Sequence, residues 1–332
     1  MISRRHLRIK VMQALYGYFQ SKDKDMASFE KELNKSVEKL YDSYLLLFLF
    51  LGELSEISRI YAEDKPEKHI KVFMAPKTNT RFNDNRILQL IINDKVFEDL
   101  CKRRKLNNWQ PESDIIKKVF NEIKESKAYI SYCWKANSPF DEDLDFIYTI
   151  LKDVLFNSQL FQDIMEEKSI CWVDDSELVQ GMILKTIKNI TESSQNIPLM
   201  PLFKEEDDKV FMSELFRKTI INDKEFEEKI SKKTINWDLD RIAQMDVILM
   251  KMALAELISF PEIPEKVTIN EFLDIAKKYS TDSSSHFING IIDKLRMDYE
   301  DEGLIVKSGK GLIDKQKSNR TKFTAKKKKF YK

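Results

Sequence analysis

An all-α protein is the fold class this sequence predicts, on three observations. Only 7 Gly and 8 Pro occur in 332 residues, so few of the turns that join β-strands are available. Lys, Glu, Leu, Ile and Asp dominate the composition. The long segments carry their apolar residues at helical spacing.

The elements follow in order. The first helix is expected from Ser3 to Gln20, with Ser3 as N-cap and Leu7, Val11, Leu15 and Tyr18 on one apolar stripe. A second, longer helix is expected over Phe29 to Tyr61, burying Leu33, Val37, Leu40, Tyr44, Leu47, Leu51 and Leu54. Pro66 and Pro76 then punctuate a loop. Beyond it the chain repeats itself. Phe82, Asn93, Phe97 and Trp109 recur as Phe146, Asn157, Phe161 and Trp172, and again as Phe211, Asn222, Phe226 and Trp237. Ile-Ile-Asn-Asp-Lys-x-Phe-Glu stands at both 91–98 and 220–227. Self-similarity at a fixed period marks stacked helical units. In each copy a helix ends near the Asn, a short helix carries the Phe, and a third helix follows the Trp, over 115–124, 176–190 and 240–257. Asn and Asp suit such breaks because their side chains bond the backbone in place of the helical ladder. Phe and Trp at these positions read as inter-helix core.

Thr191–Pro201 reads as a linker after the second copy, and Pro261 and Pro264 as a turn after the third. Thr268-x-x-Glu271 has the form of a capping box opening a helix to Tyr279. A Ser-rich loop, 280–285, should cap a last helix around Phe287–Tyr299. Past Gly303 the chain is Lys-rich and without periodicity, the pattern of a segment disordered when free.

The formal net charge is only +1, but the charge is unevenly placed. Residues 1–10 hold Arg4, Arg5, Arg8 and Lys10 with no acid, and residues 307–332 hold eleven Lys or Arg against Asp314 alone. Such asymmetry points to a polyanionic partner. Arginines at a helix N-terminus oppose its dipole, by a few tenths to about 1 kcal/mol each, and a bound phosphate reverses that sign. The last stretch, with Phe323, Phe330 and Tyr331 interspersed, reads as an electrostatic arm for nucleic acid or as a solubilising tail. Cys101, Cys133 and Cys171 are widely spaced and lack neighbouring His, arguing for reduced thiols rather than zinc. The most apolar run, Tyr44–Leu51, is too short to span a bilayer, and the basic start does not read as a secretory signal, so a cytoplasmic location is expected. No P-loop, dinucleotide fingerprint or HExxH occurs; no enzyme activity, cofactor or metal is expected.

Three segments together resemble the NusB family of RNA-binding transcription antitermination factors: Arg4-Arg5-His6-Leu7-Arg8 through Ala14-Leu15-Tyr16, Lys266-Val267-Thr268-Ile269-Asn270-Glu271, and Phe287-Ile288-Asn289-Gly290-Ile291-Ile292-Asp293-Lys294-Leu295. The long interval between the first two departs from the family's compact pattern. The resemblance implies a NusB-like helical bundle opened by a helical-repeat insertion. The expected organisation is N-terminal helices over 1–62, the first belonging to the core; an inserted region with two core-like repeats over 63–200; the core over 201–300; and a basic flexible tail over 301–332.

The same resemblance implies boxA-like single-stranded RNA, NusE (a ribosomal small-subunit protein) and the RNA polymerase elongation complex as partners. It carries RNA contacts onto Arg4, Arg5, His6, Arg8, Tyr16, Ser283, His286 and Phe287. His6 stands where Arg is usual and His286 where Lys is frequent, which lowers the positive charge near neutral pH. Phe287 reads either as a stacking platform for an unpaired base or as a core anchor, and Tyr16 as an RNA contact or as core. Asp240, Arg241 and Glu256 are the implied NusE contacts, with ion pairing inside the bundle as the other reading for Glu256. The implied function is elongation support through ribosomal RNA genes by assembly rather than catalysis. The arginine tip and the start of the closing helix are expected to form one cationic shelf. The rivals are a helical RNA chaperone or ribosome-assembly scaffold, and a helical-repeat protein-interaction module anchored by a NusB-like domain.

Overall fold

A computed structural model of the chain describes residues 1–63, 80–106, 109, 113–135, 139–234, 242–281 and 283–312. Fourteen α-helices and no strands occur among the described residues. The chain divides into two compact units: Ile2–Lys35 with Phe203–Lys332, and Ser36–Leu202 with Met1. The boundary falls inside one helix, α2 (Met26–Glu63), which supplies residues to both.

The first unit is built around α12 (Gln244–Ser259). Ten consecutive residues of it, Ile248–Leu257, are buried, so this helix is covered on every side. Its neighbours are α1 (Arg4–Gln20), α10 (Glu206–Ile221), α11 (Asp223–Lys233), α13 (Glu265–Tyr279) and α14 (Ser284–Asp301). The α1 stripe of Leu7, Val11, Leu15 and Tyr18 is buried. Ser3 caps α1 by accepting from the His6 N–H. Such all-round burial forces the two charged residues of the apolar run to find partners. Lys251 donates to Asp223 (2.6 Å) and Glu227 (2.7 Å), and Glu256 is engaged by α1.

The second unit holds the remainder of α2 with α3 (Arg86–Asn93), α4 (Lys95–Arg103), α5 (Ser113–Glu125), α6 (Lys127–Trp134), α7 (Phe140–Thr149), α8 (Gln159–Lys168) and α9 (Trp172–Lys188). A π turn (Ile150–Val154) and a 3₁₀ turn (Leu155–Asn157) join α7 to α8. Phe50 meets Trp109 and Phe161 edge-on at 5.1 Å each, and Phe48 meets Phe97 at 5.9 Å. Residues 191–201 do not behave as a loose linker. The Asp94 carboxylate accepts from the Ile197 N–H (2.6 Å) and the Tyr44 hydroxyl from the Met200 N–H (3.1 Å).

The three sequence copies share a local device. Asn93, Asn157 and Asn222 each donate a side-chain N–H to a carbonyl four residues back: Gln89 (2.8 Å), Asp153 (3.2 Å) and Lys218 (2.8 Å). The amide adds a side-chain bond to a carbonyl of the last turn, at the corner where the chain passes into the next helix. Phe82, Phe146 and Phe211, like Phe97, Phe161 and Phe226, are buried, as are Trp109 and Trp172; Trp237 lies outside the described residues.

Three expectations about helix ends are corrected. The helix after Pro264 starts at Glu265, so Thr268 and Glu271 sit within it rather than as a capping box. Thr268 Oγ1 instead donates to Glu256 (2.8 Å). At α14 the N-cap residue Ser283 makes no side-chain cap bond; the hydroxyls of Ser280 and Ser284 donate to the buried carboxylate of Asp246 on α12. Residues 304–312 are not a free tail but fold onto the turn after α12, with Ile305 and Lys307 buried. Residues 313–332 lie outside the described residues.

Candidate nucleic-acid interface

The arginines of α1 are matched to carboxylates. Arg8 Nε and Nη2 donate to the two oxygens of Glu256, both at 2.7 Å, and both side chains are buried. A second carboxylate, Glu271, lies 3.6 Å from Arg8 Nη1. Arg5 donates to Glu271 through Nε (2.9 Å) and Nη2 (2.8 Å), and to Asp274 (3.0 Å). Arg4 Nε donates to Asp208 at 2.9 Å. Arg4 and Arg8 also lie over the Phe211 ring, 5.0 and 5.2 Å from its centroid, a cation–π arrangement. The charge that opposes the α1 dipole is thus answered from α10, α12 and α13 without a bound anion.

The electrostatics follow from these pairs. The hydrogen bond from Arg5, then the charges of Arg8 and Arg5, hold the Glu271 carboxyl below its ordinary range against the opposing effect of burial. The same bond raises the Arg5 guanidinium.

These placements correct two of the expected contacts. Arg8 is not an RNA ligand at the surface: it is enclosed and saturated by carboxylates. Glu256 is not a partner contact: it is fully buried and held by Arg8 and Thr268. A buried carboxylate can persist only with such partners. Arg4 and Arg5 keep part of their side chains in solvent, at 35% and 45% exposure, so each can still meet a phosphate along its outer edge. His6 is half-buried, with Nδ1 2.7 Å from Ser3 Oγ.

The expected single shelf is also corrected. Arg8 pairs with Glu256 near the end of α12, whereas Gln20 donates to Gln244, the first residue of α12. The two helices therefore run antiparallel. Ser284, at the start of α14, reaches Asp246. The arginine tip and the first turn of α14 stand ten residues apart along α12, about 15 Å at 1.5 Å per residue. It is the second half of α1 that shares an end of the bundle with the α14 start. Tyr16 is exposed there (41%), contrary to a core role. Ser283 and His286 are exposed and Phe287 is half-buried. Asp240 and Arg241 lie outside the described residues.

Sequence reasoning missed Asp208, Asp246 and Phe211 as the groups that position this surface. One signal was available: Lys251 and Glu256 stand inside the apolar run Val247–Leu257, and a charge in a fully buried helix demands a counter-charge from a neighbour.

Comparison with known proteins places the bundle. The NusB family profile matches residues 174–296, from α9 into α14; α1 lies outside that match. The protein of Salinibacter ruber called "Transcription antitermination protein NusB" is 42% identical over 114 residues, 34% of this chain and 71% of the relative. Proteins of the same name from Chloroherpeton thalassium and a Geobacter species are 42% and 34% identical over 106 and 110 residues. These cover 32% and 33% of this chain, and 50% and 76% of those relatives. No solved structure gives a significant match. No described helix is long and apolar enough to cross a membrane. With 71% of a 42%-identical relative covered and the family profile matched over residues 174–296, the chain belongs to the NusB family.

Proposed function

We propose that the chain is an RNA-binding transcription antitermination factor. It holds boxA-like single-stranded RNA together with NusE and joins the RNA polymerase elongation complex on ribosomal RNA genes. The observation that carries this reading is the family match across α10–α14, because it includes Ser283, His286 and Phe287 at the start of α14, the first two exposed and the third half-buried. Tyr16, His286 and Phe287, with Ser283, form the base-reading end: aromatic and imidazole faces suit unpaired bases. Arg4 and Arg5 form a phosphate edge at the other end of α12, where an extended strand can reach both. Arg8 acts through Glu271, which it helps to hold against Arg5. Asp240 and Arg241 are the NusE contacts in this reading. The expected insertion over 63–200 overlaps the family match from residue 174 onward, so the addition to the family's bundle in this reading is residues 63–173.

The test is fluorescence anisotropy with boxA and scrambled RNA of equal length, with and without NusE. The expected result is tighter binding of boxA, improved by NusE. Equal affinity for both sequences, unaffected by NusE, would replace this reading with an unselective RNA scaffold. That second reading draws on one observation, the one-signed Lys-rich sequence after residue 312.

A further inference from the structure

In the unit of residues 36–202, one stripe of α2 faces a groove. Leu49, Gly52, Glu53 and Glu56 stand at i, i+3, i+4 and i+7, and so share one side of the helix. The first three are half-buried and Glu56 is exposed. The other wall is α3 with the start of α4, and the space between is about 470 Å³. Its floor is apolar: Phe48, Ile91 and Phe97, all buried. At its edge Ile92 is 48% exposed despite its aliphatic side chain.

Two residues here have no explanation within the described chain. Gly52 lies in the interior of a 38-residue helix, where glycine is the poorest residue after proline. A Cβ there would meet nothing within 4 Å, so no described neighbour requires the side chain to be missing. Glu53 is half-buried and has no ion pair among the described residues; it accepts from the Trp109 backbone N–H. Burial, then the charge of Glu56, push its carboxyl above the ordinary range. Glu56 and Glu98 extend the acidic wall. Arg59 donates to Glu56 (2.9 Å), and Lys95 and Lys102 to Glu98 (3.4 and 2.6 Å). These are exposed pairs within single helices, weak enough for an outside cation to replace.

We propose that this groove docks an amphipathic helix of a partner protein, with apolar side chains entering between α2 and α3 and Lys or Arg side chains meeting Glu53, Glu56 and Glu98. Such a helix presents its anchors at i, i+3, i+4 and i+7, the spacing of the α2 stripe. Gly52 lets the partner come close to the α2 backbone. A cation at Glu53 supplies the counter-charge that its partial burial calls for. The same acids repel phosphate groups, so RNA and anionic lipid are the wrong chemistry for this groove. The proposal goes beyond the RNA-binding reading and does not depend on it.

The test uses the full chain and two labelled synthetic peptides of about 14 residues, with Leu at the anchor positions and either Lys or Glu elsewhere. Fluorescence anisotropy should show saturable binding of the Leu/Lys peptide and none of the Leu/Glu peptide. Gly52→Leu fills the groove and should weaken binding roughly tenfold or more. Glu53→Gln keeps an acceptor for the Trp109 N–H but removes the charge. It should weaken binding about threefold at low salt and less at high salt. Circular dichroism checks the helices; should Gly52→Leu disturb them, Glu53→Gln decides. Failure of the Leu/Lys peptide to bind overturns the proposal, as does equal binding of both peptides or binding untouched by either substitution. Binding that appears only after residues 64–79 are replaced by a Gly-Ser linker would give the groove to that part of the chain itself. Self-association that the peptide disperses, seen by light scattering, would give it to a second copy. Either result overturns the proposal.

Discussion

Arg8 and Glu256, 248 residues apart in sequence, meet in the buried centre of one unit through two hydrogen bonds of 2.7 Å. The pair joins α1 to α12 and sets the position of Glu271, and through it Arg5. Removing one member strands the other charge in an apolar interior. Glu256→Ala should cost about 3–5 kcal/mol in urea unfolding. The double replacement Arg8→Met with Glu256→Leu should cost less than either single truncation, because no charge is then left buried. An unfolding midpoint that does not move in Glu256→Ala would refute this role. It follows that reversing Arg8 to Glu would report on folding rather than on RNA.

Arg5 is the arginine on which RNA binding can be tested, since its pairs are half-exposed and weak contributors to stability. Arg5→Gln should weaken binding of boxA and scrambled RNA alike and lower the salt slope by about one. A sequence-selective loss would assign Arg5 to base reading instead.

Tyr16→Ala removes an exposed aromatic face and leaves the bundle intact. Loss of one stacked base corresponds to about 1–3 kcal/mol, or roughly five- to 150-fold in affinity. The loss should be largest for the sequence bound most tightly. Unchanged affinity for boxA RNA would remove Tyr16 from the interface.

Glu271 sets an acid limit on stability. Its folded-state pKa lies below its ordinary value of 4.5, so its contribution is fully present above that value and disappears as pH falls through the lowered one. The stability difference between the natural chain and Glu271→Gln should therefore be largest near neutrality and shrink in acid. A pH-independent difference in melting temperature would contradict the coupling.

In the other unit, Tyr44 ties three segments. Its hydroxyl lies 2.6 Å from Thr186 Oγ1 and accepts from the Met200 N–H at 3.1 Å. Burial pushes its pKa up to about 12. Tyr44→Phe should leave the Met200 N–H buried and unpaired, at about 1–3 kcal/mol. Faster hydrogen exchange at Met200 is the readout; unaltered protection there would show that the amide finds another partner.

Local patterns carried much of this molecule. Helical spacing marked α1 and α2 to within a few residues, because one apolar face per turn is a local property of the chain. The recurrent Asn, Phe and Trp marked helix corners and core, because an Asn amide answers a carbonyl only four residues away. The Thr268–Glu271 spacing misled for the opposite reason: both side chains are claimed by residues remote in sequence, Glu256 and Arg5.

The sequence by itself determined the all-α class, the burial of the recurring Phe residues and the family to which the bundle belongs. Only the tertiary structure decided that three arginines within the first five positions of α1 serve different ends. Arg8 is locked inside against Glu256, while Arg4 and Arg5 keep an edge in water. It also decided that the antiparallel run of α1 along α12 sets Tyr16, rather than the arginine tip, at the end where α14 begins. Helix periodicity depends on neighbours three and four residues away, whereas a charge's role depends on which counter-charges the fold brings to it from hundreds of residues away.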